Sequence, residues 1–254
     1  MNRDVTIITV SKRNPHGLER TLKSIVLLKE VDFRVLVVLA SEDSEELEII
    51  RRFKVKHIGF PMTLVIQKSK GIYRAMNEGL QSCDGQYVVF MNSGDEFADD
   101  LSLKSLLDAA MSKEVGFVLG GHAILNSIKK YTKKEKCLNE RTFAFYLRSG
   151  CHQAILYNLS ALNSIGGYSS DYELCADYLA NLLMIRNYGG YRINRVVAIV
   201  DSGGISEIKW REVAMERHRI RVQFFGSAFI SSASYILMLL THCKRILRKP
   251  VKFS

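Results

Sequence analysis

The sequence predicts an α/β fold in which a mostly parallel central sheet carries helices on both faces. Runs of β-branched and aromatic residues alternate with segments of helical periodicity over the first half of the chain, and turn signals such as Asp84-Gly85 separate them. This alternation is typical of a parallel sheet, because parallel strands are joined by crossovers that are usually helical. With 254 residues, 47% of them hydrophobic, the chain is long enough to bury one sizeable core.

The strands and helices can be placed in order along the chain. Leu18, Leu22 and Ile25 have the spacing of one helix face, whereas short apolar runs between turn signals favour strands. Strands are predicted at residues 5–10, 34–40, 62–67, 86–91 and 115–119, and helices around residues 18–26 and at 45–53, 72–82 and 101–111. The Lys-rich stretch 129–136 is predicted to be a solvated hairpin or loop, and residues 152–157 are predicted to begin a further strand.

The cysteines and the N-terminus favour a cytoplasmic protein. The five cysteines contain no C-x-x-C pair, so neither a zinc site nor a disulfide framework is indicated. The apolar run at residues 5–10 is too short for a signal peptide and is followed by no cleavage site. We therefore expect a protein that remains in the reducing cytoplasm.

The loop after the fourth predicted strand carries the main candidate site. Asp95 follows residues 86–91 in the sequence Asn92-Ser93-Gly94-Asp95. Ligands of open α/β sheets bind just beyond the carboxyl ends of strands, where a carboxylate can meet a metal ion or a phosphate. Ser, Gly and Asp are also ordinary turn formers, so the residues alone leave an acidic surface turn open.

Six motifs in order over about 200 residues give the sequence a resemblance to a known family. They are VTIITV at 5–10, GIYRAMNEG at 71–79, FMNSGD at 90–95, HQ at 152–153, ADY at 176–178 and GGIS at 203–206. The chain resembles family 2 glycosyltransferases of the GT-A fold, a Rossmann-like α/β architecture. Within them it is similar to the bacterial subgroup that builds colanic acid, capsule and O-antigen repeats.

The resemblance implies two catalytic carboxylates. Asp95 matches the ligand of a divalent ion, Mn²⁺ or Mg²⁺, which neutralises the diphosphate leaving group. Asp177 matches the general base, which takes the proton of the acceptor hydroxyl in a single displacement that inverts the anomeric carbon. By itself, an Asp at the start of the apolar helix predicted after residue 176 is better explained as a favourable N-terminal helix charge, and only the resemblance favours the base.

The resemblance and the positions of the motifs also imply contacts with the nucleotide sugar. His152 could instead be a structural histidine before a buried strand, and the GGIS segment a plain turn. The implied donor-binding residues are Thr9, Val10, Ser11, Ser41, Asp43, Arg74, Asn77, Asn92, Ser93, Gly94, His152, Gln153 and Ser206.

Two departures from the family pattern leave the donor nucleotide open. Relatives carry an acidic, Gly-rich turn after the second strand, where this chain has Leu39, a residue that cannot accept a hydrogen bond from a base. Ser41, Glu42 or Asp43 must then read the nucleotide. Arg74 replaces the Asp of the GIYDAMNKG pattern, and it could contact a phosphate or pair with Glu78 one helical turn on.

The last fifth of the chain is basic and apolar. Residues 207–254 hold ten Lys or Arg and three Glu, and residues 222–243 contain no charged side chain. Because basic residues flank the uncharged stretch on both sides, a helix lying on the anionic cytoplasmic face of the membrane is favoured over a single span. Packing against the protein or a second copy is the remaining alternative. A nucleic-acid groove is not expected.

These observations predict a catalytic domain at residues 1–206 and a membrane-associating helical segment at residues 207–254. We expect an inverting, metal-dependent transferase that uses a nucleotide sugar, with UDP-sugars favoured, and an acceptor sugar on a polyprenyl diphosphate lipid. Alternatives are a catalytically degenerate relative that acts as a scaffold and a nucleotidyltransferase. The latter should carry a Gly-rich phosphate loop, which Ser11-Lys12-Arg13-Asn14 does not provide.

Overall fold

The computed structural model describes residues 4–42, 45–125, 127, 130–132, 136–145, 150–201, 204, 208–226, 232 and 236. Within these residues the strands are β1 (Val5–Ser11), β2 (Phe33–Leu39), β3 (Met62–Ile66), β4 (Tyr87–Phe90), β5 (Glu96–Phe97), β6 (Phe117–Ile124), β7 (Lys130–Tyr131), β8 (Lys136–Cys137), β9 (Ile155–Asn158) and β10 (Gly190–Val200). The helices are α1 (Pro15–Val26), α2 (Glu45–Lys56), α3 (Ile72–Gln81), α4 (Ser102–Lys113), α5 (Glu140–Phe145), α6 (Leu159–Ser164), α7 (Ala176–Tyr188) and α8 (Trp210–Phe225).

The described strands form one sheet in the order β3-β2-β1-β4-β9-β6-β10-β5. The pairs β1 with β2, β2 with β3, β1 with β4, and β6 with β10 are parallel, and β9 runs antiparallel between β4 and β6. All residues of β1 are buried, as expected for a central strand that is covered on both faces. The predicted α/β class, with its mainly parallel sheet, is confirmed.

Local signals in the sequence explain why helices in the first half of the chain form as predicted. Asn14 caps α1 by accepting a hydrogen bond from the Gly17 backbone N–H, and Pro15 occupies the first helical position. A Cβ atom on Gly79 of α3 would lie 2.9 Å from Cγ2 of Ile8, so glycine is required there for close packing of the helix on β1.

The strand order reverses direction between β1 and β4, and this reversal positions the site. Chain segments leave the two adjacent strands in opposite directions across the sheet, which opens a crevice beyond their carboxyl ends. Ser11 at the end of β1 and the loop from Met91 to Asp95 after β4 border that crevice.

Three predictions of secondary structure need correction. The strand predicted at 115–119 begins at Phe117 and extends to Ile124. The described strands of the Lys-rich stretch do not form a hairpin with each other, because β7 pairs with β6 and β8 pairs with β10. Residues 152–154 form a 3₁₀ turn, and the strand that was expected from His152 begins only at Ile155.

The predicted membrane segment lies largely outside the described residues. The helix α8 accounts for residues 210–225, and beyond Gly226 only residues 232 and 236 are described. Among the described residues, no helix combines the length and apolar character needed to cross a bilayer. Whether residues 222–243 lie on a membrane stays a prediction.

Candidate active site

The loop after β4 is held in place by α1. Thr21 Oγ1 donates to the backbone oxygen of Asp95 over 2.7 Å and accepts from the backbone N–H of Gly94 over 3.0 Å. Ser93 donates its hydroxyl to the Asn14 carbonyl, and Asn14 returns a bond to the Ser93 carbonyl. Gly94 has φ of 104°, a conformation that favours glycine. The predicted residues Ser93 and Gly94 therefore shape the loop and present Asp95.

The Asp95 carboxylate is buried among neutral donors. Its side chain receives a hydrogen bond of 2.5 Å from Gln153 Nε2 and one of 3.0 Å from the backbone N–H of Asp201. The residue is 7% exposed, and burial raises the pKa of its carboxyl despite these hydrogen bonds. The structure thus brings together two residues predicted for the site, and it leaves the buried charge with neutral partners.

The surroundings of Asp95 fit the divalent ion that the sequence implies. Asp201 adds a second carboxylate, and its charge also raises the pKa of Asp95. Arg20 donates a hydrogen bond to Oδ2 of Asp201 over 3.1 Å. Carboxylate oxygens suit Mg²⁺ and Mn²⁺. No group of three or more His, Cys, Asp and Glu side chains suited to a metal ion occurs in the described part of the chain. An ion held here would complete its coordination with substrate oxygens and water.

The second carboxylate, Asp177, lies in the first turn of α7, as predicted. Tyr73 of α3 donates its hydroxyl to Asp177 Oδ1 over 2.8 Å, and Nδ1 of His152 lies 3.8 Å from Asp177 Oδ2. Burial and the nearby Asp177 charge raise the pKa of Tyr73 well above its ordinary value, so Tyr73 acts as a neutral donor. One oxygen of Asp177 is thereby held and the other faces the imidazole.

His152 connects Asp177 to the loop that carries Asp95. Asn92 Nδ2 donates to His152 Nε2 over 2.9 Å, which leaves Nδ1 on the side of Asp177. The Cys151 thiol donates to Gln153 Oε1, and burial raises the pKa of that thiol, which keeps it a donor. The 3₁₀ turn explains how two consecutive side chains reach one site. In a strand, His152 and Gln153 would point to opposite faces of the sheet.

Two buried polar atoms near the end of β1 and β4 have no hydrogen-bond partner within the described structure. They are Thr9 Oγ1 and Asn92 Oδ1. Buried polar atoms normally have partners, so such atoms at a crevice indicate a ligand or water that supplies them. Val10 and Ser11 are buried beside Thr9, and the Ser11 hydroxyl donates to Glu46 Oε1 over 3.3 Å.

Several predicted donor-binding residues lie elsewhere or outside the described residues. Both polar atoms of the Asn77 amide are bonded to the backbone of Tyr168, so this residue joins α3 to the chain after α6. Ser41 is exposed just after β2. Asp43 and Ser206 lie outside the described residues.

Leu39 and Arg74, the two departures from the family pattern, lie in different environments. Leu39 is 1% exposed and belongs to the hydrophobic core. Arg74 is exposed, and no ion pair with Glu78 occurs within the described residues. Glu78 instead accepts the backbone N–H groups of Lys68 and Ser69 over 2.7 and 2.8 Å. Of the two alternatives for Arg74, the pair with Glu78 is not formed in the described part of the chain, and the contact with a phosphate stays a prediction.

Sequence reasoning missed the residues that support the two carboxylates. These are Tyr73, which bonds to Asp177, Thr21 and Arg20 of α1, and Asp201 at the end of β10. Tyr73 lies within the GIYRAMNEG motif, which was its available signal. Thr21 and Arg20 had none, because their partners are more than 70 residues away in the chain.

Comparisons with known proteins identify the family and the fold of the chain. Residues 6–161 match the sequence family described as Glycosyl transferase family 2. The chain is 25% identical over 156 residues to a PGL/p-HBAD biosynthesis glycosyltransferase of Mycobacterium tuberculosis, covering 61% of this chain and 59% of the relative. It is also 25% identical over 189 residues to an uncharacterized glycosyltransferase of Haemophilus influenzae, covering 69% and 68% of the two chains. The chain therefore spans about three fifths of the length of the mycobacterial relatives.

Solved structures share the fold. The complex of S. aureus TarS residues 1–349 with UDP-GlcNAc superposes with a TM-score of 0.68 at 12% identity, over 93% of this chain and 71% of that one. The mannosyltransferase PcManGT from Pyrobaculum calidifontis, in complex with GDP-Man and Mn²⁺, has a TM-score of 0.70 at 16% identity, over 98% and 82%.

Proposed function

The chain belongs to glycosyl transferase family 2, and from this membership we propose that it transfers a sugar from a nucleotide-diphosphate sugar to an acceptor hydroxyl with inversion. One observation carries the proposal. Asp95 and Asp177, which are 82 positions apart in the sequence, face one crevice and are connected through Asn92, His152 and Gln153.

In the proposed reaction Asp177 is the general base. The acceptor oxygen attacks the anomeric carbon, the bond from that carbon to the diphosphate breaks, and the diphosphate leaves with the bonding electrons. Asp177 accepts the proton of the attacking hydroxyl. Tyr73 holds Oδ1 of Asp177 over 2.8 Å, which supports Oδ2 as the proton acceptor. A single displacement of this kind inverts the anomeric centre.

Asp95, together with Asp201, would hold Mn²⁺ or Mg²⁺ in the working enzyme. When bound, such an ion offsets the negative charge that the diphosphate gains as it leaves. The support is the chemistry of the site: a buried carboxylate with a raised pKa and a second carboxylate beside it. Gln153 keeps Asp95 oriented, and Arg20 keeps Asp201 oriented through the contact at 3.1 Å.

We propose UDP-sugars as the favoured donors. The TarS structure with UDP-GlcNAc supports this choice, and the PcManGT structure with GDP-Man keeps guanosine donors in the comparison. Thr9 remains a proposed contact, supported by a buried Oγ1 that has no hydrogen-bond partner within the described residues. Ser41, Asp43, Arg74 and Ser206 remain proposed donor contacts.

The proposed acceptor is a sugar on a polyprenyl diphosphate lipid in bacterial surface polysaccharide assembly, at the inner face of the cytoplasmic membrane. Exposed apolar side chains on the C-terminal side support a membrane-facing surface, since Ile208 is 73% and Met215 is 61% exposed beside Lys209 and Arg211. A groove of about 550 Å³ lies on the same side, with described lining residues Met215, His218, Arg219, Val222 and Gln223.

A thermal-shift screen with UDP, GDP, CMP and dTDP, with and without Mn²⁺, tests the proposal. We expect one nucleoside diphosphate to raise Tm only when the metal is present, because a ligand that binds the native state stabilises it by mass action. The same ligand should give no metal-dependent shift with Asp95→Ala. The absence of any shift with the unmodified chain would contradict the transferase proposal and favour a scaffold role.

A further inference from the structure

Two arginines of α8 form a buried cationic cluster. Arg217 and Arg221 are one helical turn apart on the face of α8 that carries the buried residues Val213, Ala214 and Ile220. Arg221 is only 3% exposed, and its buried Nε and Nη2 atoms have no hydrogen-bond partner within the described structure. The buried Nε of Arg217 is likewise unpartnered there, while the side chain as a whole is partly exposed.

The side chains that bond directly to these guanidinium groups within the described residues are neutral, because Arg221 hydrogen-bonds to Tyr178 and Arg217 to the Cys175 thiol. The Arg217 guanidinium carbon lies 5.3 Å from the centre of the Tyr178 ring, and the Tyr178 hydroxyl donates to the Ala144 carbonyl over 3.0 Å. Burial raises the pKa of Tyr178, so it stays a neutral phenol. Burial also raises the pKa of the nearby Cys175 thiol, to about 12.

The carboxylate that directly precedes Arg217 is already bonded elsewhere. No Asp or Glu occurs after Glu216 in the sequence, and the two carboxylate oxygens of Glu216 accept the backbone N–H groups of Glu173 and Leu174 over 3.1 and 3.0 Å. Neither arginine forms an ion pair within the described residues. Buried unpaired cations are costly, and like charges one turn apart repel each other, so the cluster favours an anion from outside the chain.

The cluster lies next to the proposed base. Tyr178 follows Asp177 directly in α7, and both arginines pack on the Tyr178 side of that helix. Asp95, by contrast, contacts Gln153 and Asp201. We propose that Arg217 and Arg221 bind a phosphate group of the acceptor substrate, separately from the donor diphosphate. This inference rests on the proposed function, and it assigns a phosphate-bearing lipid as the acceptor class. The planar guanidinium fork matches phosphate oxygens with paired hydrogen bonds.

The test measures binding of octyl phosphate to the full chain by calorimetry, in EDTA so that metal-dependent binding at Asp95 is removed. Arg221→Met and Arg217→Gln should each raise Kd about tenfold or more, as expected for the loss of charge-assisted hydrogen bonds. Arg51→Gln is the control because it removes the same charge from an exposed position of α2, which belongs to no proposed binding surface. It should bind like the unmodified chain.

Two further ligands distinguish a lipid phosphate from a free phosphate or diphosphate. Inorganic phosphate and pyrophosphate should bind at least tenfold more weakly than octyl phosphate if the site takes a lipid acceptor. Equal binding of pyrophosphate would overturn the acceptor assignment in favour of a free anion. Equal losses in Arg51→Gln and the two inner variants would overturn the site itself, because general charge would then explain the binding.

The Tm and the nucleotide binding of the variants provide two further controls. Arg221→Met should keep or raise Tm without ligand, because an apolar residue of similar volume removes a buried charge. A clear drop in Tm would show that Arg221 is paired inside the fold, and Arg217→Gln would then decide the phosphate result. All three variants should retain the UDP shift with Mn²⁺. Failure of that shift in the unmodified chain refutes the proposed function, whereas loss of phosphate binding only in the inner variants still supports the site.

Discussion

Asp177 is the residue whose substitution should separate donor binding from transfer. Asp177→Asn keeps the shape of the side chain and removes the proton acceptor, so we expect transfer to fall about 10²–10⁴-fold. Affinity for the metal–nucleotide pair should stay within about twofold of the unmodified chain. Single-turnover rates and calorimetry measure the two quantities. Near-normal turnover in Asp177→Asn would refute the assignment of the base.

Tyr73 should act by positioning that base. Tyr73→Phe removes only the hydroxyl that donates to Asp177 Oδ1 over 2.8 Å, and we expect kcat to fall about tenfold with little change in donor KM. A purely structural role would lower Tm without a specific effect on kcat. Comparing kcat, KM and Tm of the variant therefore distinguishes the two roles.

The buried charge of Asp95 should lower the stability of the metal-free protein and is needed to bind the metal ion. Its folded-state pKa is raised by burial, so the stability that protonation supports is present below the ordinary carboxyl range and is lost as pH rises through the raised pKa. Asp95→Asn should therefore raise the metal-free Tm at pH 7, because it removes the charge that burial disfavours. The same variant should lose the Mn²⁺-dependent shift.

A pH series checks the sign of this effect. A metal ion needs the ionised carboxylate, so Mn²⁺-dependent stabilisation should weaken as pH falls toward the raised pKa of Asp95. A metal-dependent shift that is constant from pH 7 down to the ordinary carboxyl range would contradict this role for Asp95.

At the scale of elements, α1 determines the shape of the loop that carries Asp95, the proposed metal ligand. Thr21→Val removes a hydroxyl that bonds to Gly94 and Asp95 and leaves the side-chain volume almost unchanged. We expect a loss of about 1–3 kcal/mol in the free energy of unfolding, since buried backbone groups lose their partner. Mn²⁺ affinity should fall as well, because the loop that carries Asp95 loosens. Urea denaturation and metal titration give the two values.

Thr21→Ser is the control, because it retains the hydroxyl and loses one methyl group. It should stay closer to the unmodified chain than Thr21→Val in Mn²⁺ affinity. If the two variants lose equal metal affinity, packing of the methyl group and not the hydroxyl would control the loop.

At the scale of the whole molecule, the net charge of +10 and the basic C-terminal segment predict binding to anionic membranes. The full chain should co-sediment with vesicles that contain phosphatidylglycerol. Binding should fall steeply as the salt concentration rises, because the Debye length becomes shorter. Vesicles of phosphatidylcholine alone serve as the control. Equal binding to both vesicle types at low salt would contradict an electrostatic contribution.

Much of the fold could be predicted from the sequence because its signals are local. The apolar runs of β1 to β4 and the periodic faces of α1 to α4 depend on residues that are neighbours in the chain. The 3₁₀ turn at His152 and the separate partners of β7 and β8 could not be predicted, because they depend on strands that are remote in sequence. Local patterns carry no information about such pairing.

The sequence by itself determined the α/β class, the two carboxylates Asp95 and Asp177, and the loop and helix that carry them. The tertiary structure alone decided that His152 and Gln153 both reach the site, that Asn77 bonds to Tyr168, and that Tyr73 holds Asp177. The physical reason is distance along the chain. A sequence motif shows which side chains are present. Hydrogen bonds between distant segments form only when the sheet brings the strand ends together.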